Sequence, residues 1–365
     1  MKKVAHIQIL PILAGGQRVL LDILSALPET AYEKYVITRS GGILVEKVKQ
    51  LGYTHISANF LYRKFTPLDI VAFFQLFFIF RKYKFDIVHT HASKTGILGR
   101  LAAKLAGVPV IFHTVHGFSF HPYQNQLVNK FYQFAEKFTA KFSDKIVFVN
   151  NYERQLALQK NIVNAKQAVT IYNGVEVAKQ QRQKPDDFKD FFVIGSTLRF
   201  EPQKNIVDTV KVAIISAKLN PKLKFVFVGA GSLLNKAQHL VRKNRMEHRI
   251  ILPGWQKDIN WWLRSFDAFL LFSKWEGLPL SILEAMAHGL PIIASDIKGN
   301  DELVDQRNGV LVSVNHIDKL VQVLRTLPQN KNLQKWQEGS LWKVQQIFSH
   351  EKFIKKYRDL YDGAE

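Results

Sequence analysis

Two glutamates, Glu276 and Glu284, flank what the sequence marks as the start of a helix. The run Ser273-Lys-Trp-Glu-Gly-Leu-Pro-Leu-Ser-Ile-Leu-Glu284 continues through Ala-Met-Ala-His-Gly-Leu-Pro291 into Ile-Ile-Ala-Ser-Asp296. It reads as loop, helix, turn and strand. Gly277 frees the loop backbone, Pro279 suits a first helical turn whose N–H groups lack partners anyway, and Gly289 ends the helix. A helix beginning at Leu278–Leu280 presents unpaired N–H groups and the positive end of its dipole, which suits a diphosphate. Gly277, Leu278, Pro279 and Leu280 would form that anion site. Glu276 and Glu284 would accept hydrogen bonds from sugar or ribose hydroxyls. A pair of cations, Arg199 and Lys204, lies across the loop Thr197-Leu-Arg-Phe-Glu-Pro-Gln-Lys-Asn205. Together they would neutralise a diphosphate, arginine through its planar fork and lysine as a point charge. Taken alone, the glutamates could equally complement a helix dipole, and the cations could belong to a basic surface.

The Glu-x7-Glu spacing, with the residues that follow it to Asp296, resembles the signature of the retaining glycosyltransferases of family group 1. Arg199 and Lys204 match an Arg-x4-Lys pair that binds the donor diphosphate in that family. The resemblance implies an α/β chain of GT-B fold, two Rossmann-like doubly wound domains facing across a cleft. It also implies a nucleoside-diphosphate-sugar donor, with UDP the expected nucleotide, used as substrate and not held as a cofactor. Glu276 would then position the donor sugar and Glu284 the nucleotide ribose. The Glu-Gly-Leu-Pro-Leu variant is similar to enzymes of bacterial surface-polysaccharide assembly, including capsule, lipopolysaccharide and exopolysaccharide.

Other residues fit the same family less specifically. Gly229-Ala-Gly231-Ser232 follows a strand, as does Gly254-Trp255, where the family holds its base. Trp255 could stack there or cover apolar surface. In the first half, Ala14-Gly15-Gly16-Gln17 follows the first strand and opens a helix. The family uses Gly15, Gly16 and the next position near acceptor and donor phosphate, often with an acidic residue where this chain has Gln17 and Arg18. His116-Gly117 resembles the active-site histidine that touches the donor sugar, so His116 and Glu276 are the expected catalytic residues. His89-Thr-His91 could place two rings on one strand face toward a metal, yet no carboxylate or cysteine cluster completes the set. No Asp-x-Asp occurs in the chain, so the cations and helix end, and no metal, are expected to neutralise the leaving group.

The elements that must hold these residues alternate between short apolar runs and helical patterns, which indicates βαβ units and parallel sheets. First-half strands are expected at 4–10, 35–38, 55–58, 87–90, 110–114 and 145–149. Helices are expected at 17–26, 43–51, 67–82, 94–106, 123–142 and 150–159. The polar stretch around 181–190 reads as a linker. It separates an acceptor-side domain, residues 1–180, from a donor domain, residues 191–348. Residues 349–365 would form a C-terminal helix packing back on the first domain. Second-half strands are expected at 191–197, 224–228, 250–252, 268–272 and 292–294. Ligands of such sheets sit beyond the strands' carboxyl ends.

The chain of 365 residues has no cysteine, which excludes thiol chemistry and disulfides and fits a reducing compartment. Its net charge is +21, and residues 1–185 carry 25 Lys and Arg against 10 Asp and Glu. Such a field calls for a polyanionic partner. Two helical stretches sharpen this: 67–82, rich in phenylalanine, and 123–145, with Phe131, Phe134, Phe138 and Phe142 beside Lys130, Lys137 and Lys141. Basic, aromatic amphipathic helices read as membrane-surface elements. These features point to an anionic membrane as partner of the first domain, which would suit the lipid-linked saccharide acceptor that the resemblance to surface-polysaccharide enzymes implies. They also point to a site of action on the cytoplasmic face of an inner membrane. No run is long enough to cross a bilayer, and no nucleic-acid-binding motif accompanies the charge. An epimerase or phosphorylase on the same fold, or a basic nucleic-acid-binding protein, are the alternatives.

Overall fold

The computed structural model describes residues 1–62, 66–180 and 182–363. Gln181 of the expected linker and residues 364 and 365 of the expected C-terminal helix lie outside them. The chain divides into two units, Met1–Asn173 with Glu351–Glu365, and Gly174–His350.

Unit 1 is built on strands β1 (Lys2–Ile7), β2 (Tyr32–Thr38), β3 (Thr54–Ser57), β4 (Ile87–His91), β5 (Val110–Val115), β6 (Lys145–Phe148) and β7 (Ala168–Thr170). Unit 2 holds β8 (Phe192–Thr197), β9 (Leu223–Val228), β10 (Ile250–Gly254), β11 (Ala268–Leu271), β12 (Ile292–Ser295) and β13 (Gly309–Val312). The strand orders are β3-β2-β1-β4-β5-β6-β7 and β10-β9-β8-β11-β12-β13, with every pairing parallel. Helices cover such sheets, so the strands are largely apolar and buried on both faces. Every residue of β9 is buried, including Phe225 and Phe227 in the unit 2 core.

Each order contains one reversal. The chain first builds outward from β1 through β2 to β3, then returns to lay β4 against the other side of β1. Unit 2 repeats this around β8 and β11. Helices on opposite faces separate the loops at such a point, and that opening is where doubly wound sheets bind ligands. The loops that follow β1, β4, β8 and β11 carry, in turn, Gly15–Gly16, the residues after His91, Arg199–Lys204 and Lys274–Pro279.

The last helix, His350–Asp362, packs within unit 1. Phe353, Tyr357 and Tyr361 are buried, and Arg358 Nε donates to the Ala26 carbonyl at 2.6 Å. Residues 182–190 are tied to unit 2. Asp267 takes ion pairs from Arg182 and Lys184, each at 2.6 Å, and Phe188 is buried.

Candidate active site

In unit 2 the loops after β8 and β11 are joined side by side. Lys274 N–H donates to the Gln203 carbonyl at 2.8 Å, and Gln203 Nε2 returns a 2.8 Å bond to the Trp275 carbonyl. Between these bonds lies an ion pair, Lys204 Nζ to Glu276 Oε1 at 2.5 Å, with side-chain exposures of 13% and 6%. Gln203 Nε2 also reaches Glu276 Oε2 at 3.5 Å. Glu276 is therefore no solvated dipole-complementing residue. It is a nearly buried carboxylate whose charge is matched by the lysine. Arg199 is exposed on the same loop and has no ion-pair partner among the described residues.

The helix Leu280–Ala287 starts one residue later than its proline suggests. Pro279 is the N-cap, and no side chain caps it. Ile282 and Leu283 N–H donate to the Pro279 carbonyl at 3.1 and 3.4 Å, and this positive end of the dipole directly follows Glu276, Gly277 and Leu278 in the chain. Glu284 lies one turn inside and is half-buried, and its carbonyl receives His288 Nδ1 at 2.9 Å.

Two glycines make this arrangement possible. Gly229 has φ 145°, and a Cβ there would collide with the Leu198 carbonyl, so the turn after β9 can lie flat against the Arg199 loop. Gly299, with φ 91°, stands against the Gly277 carbonyl. Gly299→Ala combines a strained φ with that collision. It is expected to lower unfolding free energy by about 1–3 kcal/mol and to weaken donor affinity. An unchanged urea midpoint would contradict this. Gly254 ends β10, and Trp255 after it is 65% exposed, so it covers little apolar surface.

In unit 1 the Gly15–Gly16 turn opens the helix Gly15–Ala26. A Cβ on Gly16 would lie 3.7 Å from His116 Cδ2, which places the expected acceptor turn against the expected catalytic histidine. Gln17 is buried and its Nε2 reaches the Leu10 carbonyl at 3.5 Å, a packing role in place of the family's acidic residue. His116 is half-buried, and burial lowers its pKa to about 4, so the ring is neutral near pH 7. Its Nε2 meets His91 Nδ1 at 3.0 Å.

Sequence reasoning left His89 and His91 without a third ligand, but the parallel register of β1 and β4 supplies His6 opposite His89. The ring nitrogens of the three histidines fall within 4.8 Å of one another. All are buried, and burial followed by neighbouring histidine charge holds their pKa values well below 6.5. His113 is also buried, on Thr90, so it is a packing residue. Gln203, Gly299, His6 and Tyr361 were not found from sequence. Only Gln203 had a local signal, its place between the two cations.

Residues 177–338 match the family model for glycosyl transferases group 1, and residues 13–179 match that for glycosyltransferase family 4. The chain is 35% identical to the UDP-Gal:alpha-D-GlcNAc-diphosphoundecaprenol alpha-1,3-galactosyltransferase of Escherichia coli, over 98% of this chain and 96% of that one. The chain belongs to the glycosyl transferases group 1. This glycosyltransferase is also 27% identical to the putative glycosyltransferase EpsD of Bacillus subtilis, over 86% and 90% of the two chains. Among solved structures it is similar to HepE of Anabaena in complex with UDP and glucose, with TM-score 0.82, 17% identity and coverage of 99% and 100%. At that identity the likeness establishes the two-domain GT-B fold of the glycosyltransferase.

Proposed function

We propose that the enzyme transfers a hexosyl group, with retention of anomeric configuration, from a UDP-sugar to a lipid-linked saccharide in bacterial cell-surface polysaccharide assembly. The Escherichia coli relative makes UDP-galactose the first donor to test and an N-acetylglucosaminyl diphospholipid the first acceptor. One observation supports this most: the Lys204–Glu276 pair, stitched by Gln203 beside an uncapped helix start at the reversal point of unit 2.

Negative charge develops on the departing diphosphate as the glycosidic bond breaks. Only groups that bind this charge better than the bound donor lower the barrier. Arg199, Lys204 and the amides at Leu280 are assigned that task, Glu276 the sugar hydroxyls and Glu284 the ribose. To His116 and the Gly15–Gly16 turn we assign the reacting sugar and the acceptor side. These donors suffice without a metal.

A thermal-shift series with UDP-, GDP- and ADP-sugars tests the donor. A UDP-sugar at 100 times its Kd is expected to stabilise the enzyme by about 2.7 kcal/mol, while the other nucleotides leave it unmoved. A shift with GDP- or ADP-sugars alone would overturn the nucleotide assignment.

The membrane partner rests on unit 1. Helices Asp69–Tyr83 and Gln126–Ala140 both pack on helix Ser93–Ala106. Among their phenylalanines, Phe74 (50% exposed), Phe78 (64%), Phe131 (51%) and Phe134 (69%) face solvent. Other positions of the first of these helices, Ala72, Leu76 and Phe80, are core. Lys130, Lys137, Arg81 and Lys82 stand beside them. Exposed aromatics ringed by cations suit insertion into an anionic headgroup layer. No helix of the described residues is long and apolar enough to cross a membrane. We assign the enzyme to the cytoplasmic face of a membrane as a peripheral protein, a reading that the exposed phenylalanines and the lysines and arginines near them in the chain support. Replacing Phe74, Phe78, Phe131 and Phe134 together by serine is expected to reduce sedimentation with phosphatidylglycerol vesicles at least about tenfold, since each buried ring contributes on the order of 1.5–3 kcal/mol. Equal sedimentation of both proteins would contradict the assignment.

A further inference from the structure

The buried histidines of unit 1 form a continuous hydrogen-bonded line whose two ends have different surroundings. It starts at Thr114, whose Oγ1 lies 2.7 Å from His89 Nε2. His89 Nδ1 meets Tyr361 OH at 2.6 Å, and the same hydroxyl lies 2.8 Å from His6 Nε2. His6 Nδ1 then meets His91 Nε2 at 2.9 Å, and His91 Nδ1 meets His116 Nε2 at 3.0 Å. Five links join six side chains from β1, β4, β5, the loop after β5 and the C-terminal helix. Every ring nitrogen of His6, His89 and His91 is used.

A neutral imidazole carries one N–H and one bare nitrogen, and a tyrosine hydroxyl has one proton to donate. A neutral imidazole with both nitrogens engaged must donate to one neighbour and accept from the other; were the Tyr361 hydroxyl to accept from both His89 and His6, its own proton would be left buried without an acceptor among the described residues. The links therefore all point the same way, either toward His116 or away from it. The Thr114 end decides between them. Among the described residues, the buried Tyr357 hydroxyl has Thr114 Oγ1 as its partner, at 3.4 Å. If the line runs toward His116, Thr114 donates to His89 and accepts from Tyr357, and every buried proton has an acceptor. If it runs the other way, Thr114 accepts from His89, and one of the two buried hydroxyl protons of Thr114 and Tyr357 is left without an acceptor, at about 1–3 kcal/mol.

We propose that this line fixes His116 as the Nδ1–H tautomer, with Tyr361 of the C-terminal helix as the positioning residue that passes its direction from His89 to His6. His116 Nε2 accepts from His91, and Nδ1–H is left to donate to an oxygen of the substrate. His116 is then a hydrogen-bond donor in the transfer and not a general base. Two further features support the line. Ala92, directly after His91, holds φ 64° and ψ 158°, a region nearly confined to glycine, so the surrounding structure fixes the backbone that carries His91. The low pKa values of the three inner rings keep them neutral at physiological pH.

The test is long-range nitrogen–proton NMR on the full chain labelled at histidine. The wild type is expected to show His116 protonated at Nδ1 and bare at Nε2. Tyr361→Phe, three links away, is expected to turn that signal into a mixture of both tautomers at unchanged far-ultraviolet circular dichroism. Thr114→Val breaks the other end and is expected to do the same, which keeps the idea testable should Tyr361→Phe fold poorly. A wild-type His116 protonated at Nε2, or a tautomer untouched by either variant, would overturn the proposal. So would stoichiometric zinc on the purified protein, because a metal at His6, His89 and His91 would consume the nitrogens of the line. The NMR result does not depend on the proposed reaction. A kinetic arm does: Tyr361→Phe should lower kcat about tenfold at an unchanged donor KM. Failure of the kinetics with the expected spectra would count against the role given to His116 in transfer, and not against the line.

Discussion

Lys204→Gln is expected to lower kcat/KM for sugar transfer by about 10²–10³-fold, the usual effect of removing one preorganised group that meets developing charge. Glutamine is chosen because the Lys204–Glu276 pair is nearly buried. Alanine would leave Glu276 with Gln203 as its remaining side-chain partner and cost roughly 1–3 kcal/mol of stability. Glutamine can still donate to Glu276 Oε1, so the thermal midpoint should move by only a few degrees. Glu276→Gln should be comparably inactive, because the lysine then has no counter-charge holding it on its loop and the sugar loses its acceptor. The effects should not add in the double variant, since the two side chains act as one unit. Steady-state rates with saturating acceptor decide the matter. Activity within threefold of wild type in Lys204→Gln would remove the lysine from the machinery.

The second large effect is on stability and comes from the histidines. His6, His89, His91 and His113 are held neutral well below the ordinary imidazole pKa, chiefly by burial, and His116 titrates at about 4. Arg100 adds to the lowering at His113. In the unfolded chain these rings take up protons near 6.5. Between that value and the folded pKa the unfolded state binds more protons than the native one, so stability falls as pH falls. The slope approaches 1.4 kcal/mol per pH unit for each histidine. Above pH 7 the contribution is complete and flat. Five such residues in one unit give an expected loss of several kcal/mol at pH 5.5, a large part of a typical domain's stability. Hydrogen exchange at pH 7.5 and 5.5 should show unit 1 opening at the lower pH while β8–β13 stay protected. A urea midpoint that is flat across this interval would mean that the rings are not buried as neutral bases.

Much of the architecture was visible in the sequence because parallel strands are mostly apolar and are punctuated by helices. The strands missed are those in which that signal is weakest. β7 has three residues at the edge of its sheet, and β13 has four, opened by a glycine. The helix expected from Tyr123 begins at Gln126, because Asn125 caps it by accepting from Leu127 N–H. Asn129 also holds the preceding turn by hydrogen bonds to His121. The phosphate-binding candidates were legible because they are contiguous: Gly277 to Leu280 lie on one loop and helix, and Arg199 and Lys204 on another. The ion pair between these loops was not, since 72 residues separate its members. The histidine line was hidden more deeply. His6 and Tyr361 stand 355 residues apart, and strand register together with the return of the last helix brings them into contact.

In the proposed reaction a hexose passes from UDP to a lipid-linked saccharide with retention. The direct measurement is proton NMR of the product formed from UDP-galactose and an N-acetylglucosaminyl diphospholipid, with free UDP quantified in parallel. The expected result is one new α-configured anomeric signal and one UDP per disaccharide, with UDP released only when acceptor is present. A β-configured product, or UDP release indifferent to the acceptor, would contradict the account.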